Sequence, residues 1–295
     1  MSHCKRIYLT AALLVAPYSA AVDAVELSWV GCEVSKAAYV DDLANAYQQK
    51  TGTQITLKLS DSTNGIRDVH KGAADLGSST RYLLPDDTRE AGVEIVPVAW
   101  DALTIIVHKD NPVTSISLEQ LRQIYTGKIT AWKDLGGSDQ KIEVLVHPHG
   151  NSAEGSTLRD IIFSDPARRF TVGRLLKSND SIATLMVDNP NAIAVTGISS
   201  ARAHDVKIVA LDGITPSIDS IKSGEYSLYR PLYLTYNPKS ENLESIKNFI
   251  SYMNSKSARD MMRANGVVPY TDAMSLVMKK VRENEVTYPQ TVDKI

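Results

Sequence analysis

The chain has 295 residues, with 32 Lys and Arg against 34 Asp and Glu and a formal charge of −2. That balance excludes a polycationic surface of the kind that binds nucleic acid or anionic membranes without specificity. Hydrophobic residues at 43% and charged residues at 22% describe a globular chain with length for about two domains. Two cysteines and no C-x-x-C exclude a disulfide framework and structural zinc.

Residues 1–24 read as a secretory signal. Lys5 and Arg6 form a basic start, Ile7 to Ala16 an apolar run, and Pro17 breaks it. Val22-Asp23-Ala24 then places small residues ahead of a cut. The run is well short of the ~20 residues that span a bilayer. Export with cleavage is expected, which removes Cys4 and leaves Cys32 as the one thiol of the mature chain.

Strand-like and helix-like segments then alternate, the grammar of an α/β fold. Leu27 to Val30 reads as a strand ending at Gly31, and Ala37 to Lys50 as an amphipathic helix stopped by Gly52. Gln54 to Leu59 is a strand and Asn64 to Lys71 a helix. Val93 to Val107 reads as two apolar strands separated around Trp100-Asp101. Leu118 to Tyr125 is a short helix, and Ile142 to His147, Ala192 to Val195 and Val206 to Val209 are strands. Leu232 to Tyr236 is a strand that returns after a long excursion, followed by helices over Leu243–Ser255 and Ala258–Asn265. The acidic positions Asp86, Asp87 and Glu90 read as a solvated face.

Several stretches carry more than periodicity. Asp61-Ser62-Thr63-Asn64-Gly65-Ile66, Asp75-Leu76-Gly77-Ser78-Ser79-Thr80-Arg81, Trp100-Asp101-Ala102-Leu103, Asp110-Asn111-Pro112, Leu118 through Gly137, Arg230-Pro231-Leu232-Tyr233 and Gly266-Val267-Val268-Pro269 follow one another in order. Together they resemble the phosphate-binding family of periplasmic substrate-binding proteins. The resemblance implies a two-lobed fold with two hinge crossovers that closes over an anion and hands it to an ABC importer, without catalysis or a cofactor. Residues 25–104 plus 236–295 would form one lobe and 105–235 the other. Val98 to Val107 and Leu232 to Tyr236 are the crossover candidates.

A dehydrated oxyanion needs donors converging from fixed directions, and loops between a strand and a helix N-terminus supply them. The loops around Cys32-Glu33 and Ser62-Thr63 both follow strands. The resemblance places Ser62, Thr80 and the first loop at the ligand, with Arg81 as nearby charge. From the other lobe it points to the segment His147 through Arg159, with Ser156 and Thr157 favoured and Ser152 beside them. Two departures stand out: Cys32 where relatives carry a hydroxyl, since a thiol is a weak donor, and His147 where they often carry arginine.

Those departures open an alternative in the same fold: a thiophilic oxyanion or soft metal held by Cys32 and His147, with His149 as a further ligand, in uptake or in sensing. An enzyme built on Ser152 beside His149 is a third reading. Gly150-Asn151-Ser152-Ala153-Glu154 lacks the closing glycine of a nucleophile elbow.

Overall fold

A computed structural model describes residues 26–84, 86–146, 153–165, 168–176 and 182–278. The signal expected over 1–24 lies outside the described residues, as do His147, His149 and Ser152. β1 (Glu26–Gly31) leads into a helical run that begins at Glu33, earlier than the apolar spacing indicates. α1 (Glu33–Ser35) passes through a π-helical turn (Lys36–Val40) into α2 (Asp41–Thr51), which ends on left-handed Gly52. Polar Glu33 and Lys36 hide the start, although Val34 and Ser35 between them are buried. β2 (Gln54–Leu59), α3 (Ser62–His70) and β3 (Leu76–Ser79) complete the opening β–α–β units. β1 pairs in parallel with β2 on one side and β3 on the other, so all three strands end at the same edge of the sheet.

β4 (Glu94–His108) follows as one continuous strand of 15 residues. The elements beyond it are β5 (Ser115–Ile116), α4 (Leu118–Tyr125), β6 (Glu143–Val146), α5 (Ala153–Phe163), β7 (Arg174–Leu175), α6 (Ile182–Val187), β8 (Ala192–Gly197) and α7 (Ile198–Arg202). The chain closes with β9 (Val206–Leu211), α8 (Ile218–Ser223), β10 (Tyr229–Tyr236), α9 (Leu243–Met253), α10 (Lys256–Ala264) and β11 (Val268–Pro269). Strand order is β2-β1-β3-β10-β4-β8-β6-β7, with β9 and β11 also paired to β4 and β5 paired to β9. No helix among the described residues is long and apolar enough to cross a membrane.

The expected break at Trp100-Asp101 is absent. A carboxylate inside an apolar strand is tolerated only when its charge and lone pairs are met. Here Asp101, fully buried, accepts from Arg230 Nε at 3.2 Å and Nη2 at 3.1 Å, and from the Ile198 amide at 3.2 Å. β4 changes partners beside it. Glu94 to Ala102 pairs with β10, whereas Leu103 to Val107 pairs with β8 and the end of the strand with β9. The single strand thus runs through both halves of the sheet.

Three remote stretches converge on this point. Arg230 and Pro231 lie in register opposite Asp101 and Trp100, and Val268 of β11 sits opposite Trp100 from the other side. The Trp100 ring stacks on Tyr270 at 5.3 Å and meets the edge of Tyr229 at 5.8 Å. Replacing Asp101 by alanine strands the Arg230 cation in this apolar setting. It is expected to lower the unfolding free energy by about 3–5 kcal/mol in urea titrations. The double variant Asp101→Leu/Arg230→Met, which removes both charges, should recover most of that loss.

Candidate functional site

The parallel edge formed by β1, β2 and β3 brings three loops together. Gly31 lies in register with Leu59, so the turn into α1 and the turn into α3 leave the sheet side by side, with the end of β3 next to them. In open α/β sheets the crevice outside the carboxyl ends of the strands is where ligands bind. Ser62 opens α3 and Thr80 follows β3; both are buried. The Thr80 amide donates to Ser62 Oγ at 3.0 Å, and the two hydroxyl oxygens lie 3.4 Å apart. Two hydroxyls that share one hydrogen bond retain one O–H, whichever of them donates, and that proton is available to an acceptor in the crevice.

The neighbours of this pair are held rigidly. A Cβ on Gly77 would sit 1.8 Å from the Gly65 carbonyl oxygen, and one on Gly65 would sit 2.3 Å from that of Ser78. α3 therefore rests backbone-to-backbone on β3, and Thr235 Oγ1 of β10 donates to the Gly65 carbonyl at 2.9 Å. The Asp61 side chain caps α3 by accepting from the Asn64 amide at 2.8 Å. Its carboxylate occupies that donor and leaves the turn at Ser62-Thr63 facing the crevice.

Cys32 precedes α1 with extended backbone and is partly buried, its Sγ 3.4 Å from Ser35 Oγ. Glu33 is exposed. Beneath this loop Tyr39 is fully enclosed. Burial drives its phenol pKa far upward, so the group stays a neutral donor, and it donates to the Tyr233 carbonyl at 3.1 Å. Tyr39 lies within the π turn. It stands four residues before Leu43 and eight before Tyr47, on one buried helical stripe. Ser78 lies beside it with a buried, unpartnered Oγ, wedged 2.0 Å from where a Gly31 Cβ would stand.

Arg81 does not present an open charge. Its guanidinium grips Glu90 through both terminal nitrogens, at 2.6 and 3.0 Å, and reaches Thr63 Oγ1 at 3.4 Å. Glu90 is only 1% exposed, which corrects its reading as part of a solvated face. Arg67 lies 3.7 Å from it and also pairs with Asp87 at 2.7 Å. The reason is that the segment after β3 folds back over α3, so that acids spaced along the sequence meet arginines on two elements. Burial alone would raise the Glu90 pKa, but the Arg81 hydrogen bond, the Leu84 amide and the Arg81 charge outweigh it and hold it below the ordinary 4.5.

In the second half of the sheet, β6 and β8 are parallel, so their carboxyl ends also share an edge. β6 ends at Val146, ahead of His147. α5 carries Ser156 and Thr157, the latter half-buried. Arg159 is buried, with its guanidinium 5.6 Å from the Phe170 ring, and burial holds its pKa below the ordinary value. Among the described residues no three His, Cys, Asp or Glu side chains converge as a metal site.

Residues 30–257 match the family model of the PBP superfamily domain. The chain belongs to that family. A curated PBP-fold relative, the phosphate-binding protein PstS of Bacillus subtilis, is 26% identical over 228 residues, covering 76% of this chain and 74% of its own. A solved phosphate ABC transporter substrate-binding protein from Clostridium perfringens, with bound phosphate, is 27% identical with a TM-score of 0.72. That match covers 83% of this chain and 99% of the other. An ABC-type phosphate transport receptor from Vibrio cholerae is 29% identical with a TM-score of 0.63, covering 82% of this chain and 99% of its own. The α/β fold is thus the two-lobed one of periplasmic binding proteins.

Because the Glu90 carboxyl is depressed, its stabilising contribution is present above pH 4.5 and is lost as pH falls through its folded value. Glu90→Gln is expected to lower the melting temperature at pH 7 and to flatten the acid side of the stability curve, read by thermal melts between pH 3 and 7.

Proposed function

We propose that the mature protein captures phosphate or a similar tetrahedral oxyanion between its lobes and delivers it to a membrane ABC importer. The observation that carries this is the buried Ser62–Thr80 pair at the common carboxyl edge of three parallel strands, with a hydroxyl proton to give. Phosphate bound in the Clostridium perfringens relative and the name of the Bacillus subtilis one support the choice of cargo. With Arg81 neutralised by Glu90, the first lobe meets the anion with dipoles, from the turns at Cys32-Glu33 and Ser62-Thr63 and from the hydroxyls, and without net charge. The Thr63 hydroxyl is fixed by Arg81, which makes Arg81 a support of the loop.

On this reading residues 1–24 are a signal removed on export to the periplasm. Residues 25–104 plus 236–295 form one lobe and 105–235 the other. The change of β4 partners at Ala102–Leu103 supports the first crossing, and β10, paired beside that stretch of β4, is taken as the second. The second lobe contributes through His147, Ser152, Ser156 and Thr157. The role is binding, with no catalytic step, and Cys32 lines the crevice without acting as a metal ligand.

Calorimetric titration of the reduced mature protein with phosphate tests this. Saturable binding is expected. Ser62→Ala and Thr80→Ala should each weaken it about ten- to a hundredfold, the scale of a hydrogen bond to a charged group. Cys32→Ser should keep it. Absence of phosphate heat, together with Cys32-dependent binding of arsenite or zinc, would overturn the proposal.

A further inference from the structure

The second lobe carries a buried hydroxyl that the packing of the described residues leaves idle. Ser199 stands in the first turn of α7, directly beyond the carboxyl end of β8. It is 5% exposed, and its Oγ has no hydrogen-bond partner. Buried hydroxyls are nearly always paired, because taking one out of water without a partner costs free energy. Ser78 is the comparable orphan of the first lobe, but its Oγ fills the space against Gly31. Ser199 is placed differently.

The faces of α7 fix where it points. Successive residues on a helix turn by about 100°. Ile198 packs into the main core, and Arg202, one turn on, lies against Gly266 of the first lobe. Ala201 belongs to the second-lobe cluster with Ile106 and Ala194. The Ser200 carbonyl holds His204, whose Nε2 lies 3.1 Å from Thr184 of α6. Ser199 falls between the face turned to the first lobe and the face turned to α6, in the seam of the two lobes. The seam is tight here. A Cβ on Gly197 would lie 3.0 Å from Val34 Cγ1, in the turn that also bears Cys32, and 2.8 Å from Asp101 Oδ2. Asp101 anchors the same junction through the Ile198 amide.

Resting on the anion-trap reading above, we propose that Ser199 is a ligand-contacting, specificity-determining residue, whose hydroxyl donates to the oxyanion from the second lobe. The donor is neutral. It adds direction without charge, and it is reached only where both lobes meet.

The test is calorimetric titration of the mature protein with phosphate, paired with thermal melts, for the wild type, Ser199→Ala and Ser199→Thr. Alanine should weaken phosphate binding about tenfold while leaving the ligand-free melting temperature unchanged or higher, since no hydrogen bond is lost in that state. Threonine, which keeps the hydroxyl, should bind more tightly than alanine. Wild-type binding with an unchanged affinity in Ser199→Ala would overturn this inference and leave the anion trap standing. No phosphate binding by the wild type would overturn both. A lower ligand-free melting temperature in Ser199→Ala with unaltered affinity would assign the hydroxyl to packing.

Discussion

The Asp101–Arg230 ion pair is the constraint on which the rest of the structure depends. It lies where one strand stops serving the first half of the sheet and begins to serve the second. Both side chains are withdrawn from water, so the pair is costly unless each partner stays in place. Its geometry therefore fixes the register of β4 against β10 and, through the Ile198 amide, the start of α7. Trp100, Tyr229 and Tyr270 pack around it and exclude water from the junction. Position and polarity are coupled: the charge survives inside the strand because the Arg230 guanidinium and the Ile198 amide are aimed at it, and those donors are held by the elements it joins.

The same economy governs the strand-end loops. Among the described first-lobe residues placed at the crevice above, none is an unpaired cation. Arg81, the obvious candidate, is committed to Glu90, and the two together brace Thr63. On the proposed reading, what remains for a ligand is a set of hydroxyls and backbone amides, directional and uncharged. Such a set distinguishes acceptors by geometry and resists nonspecific capture of any passing anion, because no bare field draws it in.

Much of this was legible in the sequence. The alternation of strands and helices from β1 to β3 and the glycine stop after α2 follow from local patterns, and the convergence of Ser62 with Thr80 is what the family resemblance implies. What failed were features whose cause lies elsewhere in the chain. Asp101 reads as a strand breaker until Arg230, 129 residues later, neutralises it. Glu90 reads as a surface acid until Arg81 and Arg67 enclose it. The early start of the first helix is masked by Glu33 and Lys36. Ser199 carried no signal beyond a serine pair after a strand, since an idle hydroxyl is visible only once its surroundings are.

The backbone contact between α3 and β3 has an evolutionary consequence. Gly65 and Gly77 touch so closely that not even a methyl group fits at either position, while Ser62, Thr80 and Cys32 stand around them at the strand ends. Mutation can therefore explore new chemistry at the tips without disturbing the platform beneath. A lineage with this scaffold can exchange a hydroxyl or thiol at the strand ends in single steps, and is barred from drifting at Gly65 and Gly77.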